Sequence, residues 1–321
     1  MTANADIGAV LIGRNEGARL IACLKSFPAD MGGLVYVDSG STDDSVAQAQ
    51  ALGAQVISLD MTQPFTAARA RNVGLEALLA SDQPPTYVQF IDGDCELRLD
   101  WLETARAYLD AHPDVAVVCG RRRERAPQDS IYNAMIDAEW DTPVGEAKAC
   151  GGDALMRVAA LNAVGHYNPT LIAGEEPELC VRLRQAGWKI WRLDAEMTWH
   201  DAALTRFGQW WNRTRRAGHA YAEGAAMHGA PPEQHFVRET RRAVLWGIVL
   251  PLVALVGALI TPYALVLFLL WPLQMLRLKR KGFSLAESVF LPLGKLPEGI
   301  GVLQYWQRRL MRGQATLIEY K

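Results

Sequence analysis

Tyr87-Val88-Gln89-Phe90-Ile91-Asp92-Gly93-Asp94 reads as a buried strand that delivers two carboxylates into a loop. The run is short, apolar but for one glutamine, and rich in β-branched and aromatic side chains, which suits a strand covered on both faces. Where it ends, Asp92 and Asp94 stand one residue apart, so both can approach one hard cation. Mg²⁺ or Mn²⁺ takes a few carboxylate oxygens together with those of a substrate diphosphate, seldom an all-protein cage. Gly93 leaves room for a ligand close to the backbone. Asp-Gly-Asp is also ordinary turn chemistry after a strand, so the neighbouring sequence decides.

Working outward, Ala9–Ile12, Leu34–Val37, Gln55–Leu59 and Val115–Val118 repeat the short apolar pattern. Helix-length segments separate them, including Ser41 to Leu52 and Thr66 to Leu79. Strands alternating with helices predict a doubly wound α/β sheet. Ligands of such sheets bind beyond the carboxyl ends of the strands, where Arg14-Asn15-Glu16, Asp38 and Asp92-Gly93-Asp94 all fall. No Gly-x-Gly-x-x-Gly follows the first strand and no Gly-Lys-Ser/Thr loop occurs, so phosphates would be held by a metal and side chains. Beyond about residue 130 the alternation weakens. Gly151-Gly152-Asp153 leads into a helical pattern at Arg157 to Val164, and Glu176 to Ala186 forms a second, with Leu179, Leu183 and Ala186 on one face and Gly187 as its stop.

The chain has 321 residues, enough for a catalytic domain and an appendage. A net charge of −2 without a long cationic stripe argues against a nucleic-acid partner. Cys23, Cys95, Cys119, Cys150 and Cys180 are scattered and form no Cys-x-x-Cys pair, which speaks against a disulfide framework and against a zinc site and favours a reducing cytosol. Met1–Asp6 lacks the basic segment of a secretory signal, so the catalytic part is expected in the cytoplasm.

Ala243–Leu276 is free of Asp, Glu, Lys and Arg and exceeds the ~20 residues that cross a bilayer. Arg238, Arg241 and Arg242 precede it, and Arg277, Lys279, Arg280 and Lys281 follow it. Basic flanks prefer the cytoplasmic side, so both are satisfied by a hairpin turning near Thr261-Pro262, either crossing or re-entrant; a buried helical pair in a soluble core is the alternative. Ile300, Leu303, Trp306 and Leu310 recur at helical spacing near Arg308, Arg309 and Arg312, the pattern of an interfacial amphipathic helix. Trp210, Trp211, Trp246 and Trp271 suit either headgroup level or ordinary packing.

In order along the chain, Arg14-Asn15-Glu16, Val37-Asp38-Ser39-Gly40-Ser41-Thr42-Asp43, Ala70-Arg71-Asn72-Val73-Gly74, Asp92-Gly93-Asp94, Gly151-Gly152-Asp153, Gly174-Glu175-Glu176-Pro177-Glu178-Leu179 and Trp199-His200 resemble the motifs of glycosyltransferase family 2, inverting enzymes with a GT-A fold. The resemblance implies a GT-A domain over 1–228, with a nucleotide-sugar half at 7–120 and an acceptor half at 121–228. A membrane-associated region would then occupy 229–321, with the hairpin at 243–276 and the interfacial helix at about 297–312. It also implies roles. Asp94, with Asp92 near it or near the ribose, would hold Mn²⁺ or Mg²⁺, and His200 is either a third ligand or a packed histidine. Arg14, Asn15, Glu16, Asp38, Arg71 and Gly93 would bind the nucleotide sugar; Arg71 pairs either with phosphate or with a structural carboxylate. Glu176 would be the general base, with Glu175 or Glu178 as substitutes, although an acidic first turn is favoured by the helix dipole in any case. Gly152, Asp153, Trp211 and Arg215 would meet the acceptor or a diphosphate. Arg213, Arg215 and Arg216 equally suit an anionic membrane surface. Ser39 stands where the family has its second Asp, and Glu176 where Asp is commoner, one methylene shorter. Arg121, Arg122, Arg123 and Arg125 read as a solvated charged loop.

The expected function is metal-dependent sugar transfer from a nucleoside-diphosphate sugar, UDP-linked by first choice, to a lipid-linked or growing-glycan acceptor at the cytoplasmic membrane face. A sugar nucleotidyltransferase would instead need a Gly-rich, basic loop after the first strand, which is missing here. A non-catalytic glycan-binding scaffold on the same fold is the other alternative.

Overall fold

The computed structural model describes residues 4–311. In chain order its elements are β1 (Ile7–Gly13), α1 (Ala18–Lys25), β2 (Gly33–Asp38), α2 (Ser45–Ala51), β3 (Gln55–Ser58), α3 (Ala67–Leu79), β4 (Tyr87–Asp92), β5 (Cys95–Leu97), α4 (Trp101–Ala111), β6 (Val115–Glu124), α5 (Ile131–Glu139), β7 (Gly145–Glu146), β8 (Ala154–Arg157), α6 (Val158–Val164), α7 (Glu175–Gln185), β9 (Lys189–His200), α8 (Phe207–His228), α9 (Val237–Val244), α10 (Leu250–Ala258), α11 (Leu270–Arg280), α12 (Leu285–Leu293) and α13 (Lys295–Leu310). A π-helical turn at Leu245–Val249 joins α9 to α10, and a 3-10 segment at Pro262–Leu269 precedes α11.

The chain divides into two compact units, one formed by the residues up to Gln128 with Ile136–Ala203, the other by Asp129–Met135 with the chain from Leu204 onward. The division therefore falls before α8 and not after it, as the 228/229 boundary expected from sequence would have it.

The first unit is a mixed sheet in the order β3-β2-β1-β4-β8-β6-β9-β5, with β7 paired to β9. β1 lies parallel between β2 and β4, which creates the reversal of strand order where α/β sheets open a crevice. Within β1, Ile7 to Ile12 are all buried, as are Tyr87 to Ile91 of β4, because helices cover both faces. Gln89 is the polar exception, and its Oε1 accepts from Trp101 Nε1 at 2.8 Å, which satisfies two buried polar groups together. α3 starts at Thr66, whose hydroxyl accepts from Arg69 N at 3.1 Å as an N-cap does. Ser41–Asp44, expected as helix, instead form a loop: Asp38 Oδ2 accepts from the backbone N–H groups of Gly40 and Ser41, and Asp43 Oδ1 from Ser45 N. Those short side-chain contacts compete with helix formation.

In the second unit the chain reverses after α10, and the 3-10 segment packs back along that helix; a Cβ on Gly257 would come within 2.8 Å of Ala264 Cβ. Val237–Ala258 is long and apolar enough to cross a membrane, with a mean hydropathy of 1.6 and only 11% of its apolar window buried. Leu252, Leu255, Leu259, Ile260 and Tyr263 are all more than half exposed. On α13, Val302 and Tyr305 are buried, whereas Ile300, Leu303, Trp306 and Leu310 face outward; Arg312 lies outside the described residues. Trp210 is buried, stacked with Tyr132 and edge-on to Phe290.

Candidate active site

β4 ends at Asp92, and Gly93 N donates to Ile12 O at 2.8 Å, tying the turn to the end of β1. A Cβ on Gly93 would meet Glu16 Cγ at 3.2 Å and the Ile12 carbonyl at 3.3 Å. A side chain at this position would press on the end of β1, which favours glycine. Cys95 opens β5 directly opposite His200 of β9, which brings His200 Nε2 to 3.3 Å from Asp94 Oδ1. Asp94, Cys95 and His200 are buried, and one ligand atom from each lies within 4.8 Å of the others. The ring of Trp140 stands edge-on to His200 at 4.6 Å. His200 Nδ1 is buried without a hydrogen-bond partner among the described residues, with Glu124 Oε2 3.8 Å away. A carboxylate beside one ring nitrogen and a second carboxylate behind the other is an arrangement that suits a metal-binding imidazole. The oxygen and nitrogen donors fit Mn²⁺ or Mg²⁺. A thiol favours softer ions than Mn²⁺ or Mg²⁺, so Asp94 and His200 are the better donors for those two cations.

Asp92 is outside that group. Its Oδ1 pairs with Arg71 Nη2 at 2.8 Å, and Arg71 Nη1 holds Glu175 Oε1 at 2.7 Å. The guanidinium is 3% exposed and also lies over the Tyr167 ring. Burial works against its charge, but Asp92 and Glu175 outweigh that and raise its proton affinity above the ordinary value. Arg71, expected on phosphate or on a carboxylate, is thus held by two carboxylates, and Glu175, a substitute base in the sequence reading, is committed to it. Gly152 fits between them: a Cβ there would approach Arg71 Nη2 at 3.0 Å and Asp92 Oδ2 at 3.1 Å. Asp153, expected at the acceptor, is fully enclosed. It accepts from Asp92 N, Thr198 Oγ1 and Arg122 Nε, so its charge organises the strand ends.

Glu176 sits in the first turn of α7, with Glu175 and Glu178. Pro177 is tolerated there because first-turn N–H groups have no intrahelical partner. Glu176 is 5% exposed. Its Oε1 accepts from Cys150 N at 2.6 Å, Cys150 Sγ at 2.9 Å and Cys180 Sγ at 3.0 Å. No described group donates to Oε2. Glu178 instead grips Arg182 through both oxygens.

On the nucleotide side, Asp38 is buried and accepts from Tyr36 Oη, Gly40 N and Ser41 N. Ser39 beside it has a buried hydroxyl without a partner among the described residues. Asn15, at a φ of 55°, accepts from Thr42 N at 2.7 Å, while Glu16 pairs with Arg19 at 2.7 Å. Arg14 is exposed on the same loop. Trp211 and Arg215 belong to α8 of the second unit.

Arg121, Arg122 and Arg123 do not form a solvated loop. They lie in β6, where Arg121 pairs with Asp137, Arg122 with Asp153 and over Trp140, and Arg123 with Glu196; Arg125, just past the strand, pairs with Glu96. Sequence reading missed Arg122, Glu124, Trp140 and Cys150. A hint was present in Val115–Val118, an apolar run leading straight into the arginines.

The profile of glycosyl transferase family 2 matches residues 10–158. Just under half of the chain is thus similar to family 2 glycosyltransferases. The chain is 26% identical over 172 residues to the pre-mycofactocin glycosyltransferase of Mycobacterium tuberculosis, covering 50% of this chain and 35% of that protein. It is 28% identical over 210 residues to the succinoglycan biosynthesis protein ExoA of Rhizobium meliloti, covering 61% and 63%. The chain thus spans from about a third to just under two thirds of these relatives' lengths. In fold it resembles a mannosyltransferase from Pyrobaculum calidifontis solved with GDP-mannose and Mn²⁺, with a TM-score of 0.63 at 17% identity over 94% of this chain and 88% of that one. Glucosyl-3-phosphoglycerate synthase from Mycobacterium tuberculosis, solved with Mn²⁺ and UDP-glucose, gives 0.51 at 18% identity over 70% and 79%. At these identities the matched part of the chain shares the GT-A fold with them.

Proposed function

We propose that the protein is an inverting glycosyltransferase that moves a sugar from a nucleoside-diphosphate sugar, a UDP-sugar first among them, to a hydroxyl of a lipid-linked or growing-glycan acceptor at the cytoplasmic face of a membrane. The observation that carries this reading is Glu176, a buried carboxylate with one oxygen fixed by three donors and the other met by no donor among the described residues. Glu176 Oε2 takes the proton of the acceptor hydroxyl. The acceptor oxygen bonds to the anomeric carbon from the face opposite the diphosphate, and the bond from that carbon to the diphosphate oxygen breaks with its electron pair. Asp94 and His200 are the residues that would hold a divalent cation, which supplies positive charge for the leaving diphosphate. Asp38 and the buried Ser39 hydroxyl are positioned to receive the base, and Arg71 keeps Asp92 and Glu175 in place.

Membrane attachment is supported by the uncovered apolar surface of Val237–Ala258 and its returning arm, by the basic residues at both flanks, and by the outward apolar face of α13. A hairpin leaves both flanks on the cytoplasmic side.

The test is release of nucleoside diphosphate and sugar transfer by detergent-solubilised protein across UDP-, GDP- and TDP-sugars, with Mn²⁺ or EDTA, and with or without polyprenyl-phosphate-linked acceptors. Metal-dependent diphosphate release that is lost in Asp94→Asn is expected. Release of pyrophosphate would point to a nucleotidyltransferase, and no release from folded protein across the panel would leave a binding scaffold.

A further inference from the structure

We propose that Cys150, Cys180 and Glu176 form a second cation site, one that takes a single thiophilic divalent ion of the zinc class in place of two thiol protons. The three residues come from different places in the sequence. Cys180 lies one helical turn beyond Glu176 on α7, and Cys150 lies in the segment between β7 and β8. Their ligand atoms nevertheless lie within 4.8 Å of one another. The two sulfurs are 3.8 Å apart. Two thiolates at ~2.3 Å from one tetrahedral ion stand ~3.8 Å apart, so the sulfurs already occupy two corners of such a site. A disulfide would require them to close to ~2.05 Å.

Glu176 Oε1 sits at hydrogen-bond distance from both sulfurs, where it accepts their protons. Replacing those protons with one cation forms two sulfur–metal bonds and one oxygen–metal bond. Two protons go to solvent, and no electron changes hands. The fourth position is left for water, as in open three-ligand zinc sites. Thiolates select soft and borderline ions over Mg²⁺ and Mn²⁺, which separates this site from the oxygen and nitrogen donors of Asp94 and His200. Cys150 is partly exposed, giving the ion a way in. Sequence spacing argued against zinc because no Cys-x-x-Cys occurs; here the fold supplies the pairing.

The binding claim rests on these three side chains alone. Its consequence rests on the proposed role of Glu176: an ion on Oε1 would occupy the base and block transfer.

The test uses the full-length, detergent-solubilised protein, reduced with a phosphine and saturated with Mg²⁺, titrated with Co²⁺ as the spectroscopic probe. The expected result is one Co²⁺ per chain with thiolate-to-metal charge-transfer absorption that Zn²⁺ displaces. The band should persist in Cys95→Ser and weaken with at least about 100-fold lower affinity in Cys150→Ser and Cys180→Ser. In the unmutated chain, Zn²⁺ should protect Cys150 and Cys180 from alkylation, as mapped by mass spectrometry, which needs no variant to fold. The proposal is overturned if the band is absent, if it survives in either Cys150→Ser or Cys180→Ser, if it depends on Cys95, or if Zn²⁺ leaves both thiols open to alkylation. Binding with these signatures but without loss of transfer would confirm the site and refute Glu176 as the base.

Discussion

Asp94 and Glu176 are equally buried, each 5% exposed, yet they keep opposite company. Asp94 stands at a strand end beside an imidazole, in a region dense with ion pairs: Arg71 with Asp92 and Glu175, and Arg122 with Asp153. Glu176 stands at a helix start and, among the described residues, has no ion pair; its partners are one backbone N–H and two thiols. A charge embedded among other charges is poorly placed to exchange protons, because every change disturbs its neighbours. A carboxylate steadied by uncharged donors can gain and lose a proton while its surroundings keep their charge. The contrast suits a cation site on one side and a proton acceptor on the other.

The sharpest way to break the comparison is Glu176→Gln. If Glu176 is the proton acceptor, transfer should fall by ~10²–10⁴, while Mn²⁺ and nucleotide affinity, measured by calorimetry, stay unchanged. Loss of nucleotide affinity in step with activity would place Glu176 on the donor side and erase the distinction. Asp94→Asn should give the mirror image. A fall in transfer of ~10²–10³ is expected, together with weakened Mn²⁺ binding and partial recovery at high Mn²⁺. Normal Mn²⁺ affinity in that variant would remove Asp94 from the cation site.

The two sides also differ in how legible they were in the sequence. The strand that ends at Asp92 could be read because burial on both faces forces a continuous apolar run, and α3 because Thr66 to Leu79 is rich in good helix formers. Glu176 was reached through family motifs, but its environment was hidden. Cys150 meets it only because the segment before β8 is brought beside α7, and no local pattern encodes a contact across 26 residues. β8 itself is four residues long and sits between β4 and β6, too short for periodicity to reveal. Three consecutive arginines read as solvent-facing because hydropathy ignores partners. Asp137, Asp153 and Glu196 come from elsewhere in the chain to meet them. The apolar surface of the second unit was fully visible, since an uncharged stretch of that length needs no partner to be recognised.

Arg71→Leu tests the charged side as a structural network. Removing one partner of a buried ion pair costs about 3–5 kcal/mol, and the lower end is expected because Asp92 is about a third exposed and partly screened. Chemical denaturation should register that loss, with Glu176→Gln far milder by the same assay. Equal losses would mean that both carboxylates serve the fold alike.

The smallest effect probes the uncharged side through pH. Burial, above all, raises Cys180 from 9.0 to about 11 and Cys150 well above its usual value. The folded state therefore holds these protons more tightly than the unfolded chain. That stabilisation is fully present below pH 9 and is lost as pH rises toward 11. For Cys180 alone the loss by about pH 10 should be on the order of 1 kcal/mol. Denaturation midpoints should accordingly fall with rising pH in this window and fall less steeply in Cys180→Ser. A slope unchanged by that substitution would mean that the thiols beside Glu176 do not titrate with folding. Cys150 N would then be the one donor to Glu176 Oε1 shown to hold through folding.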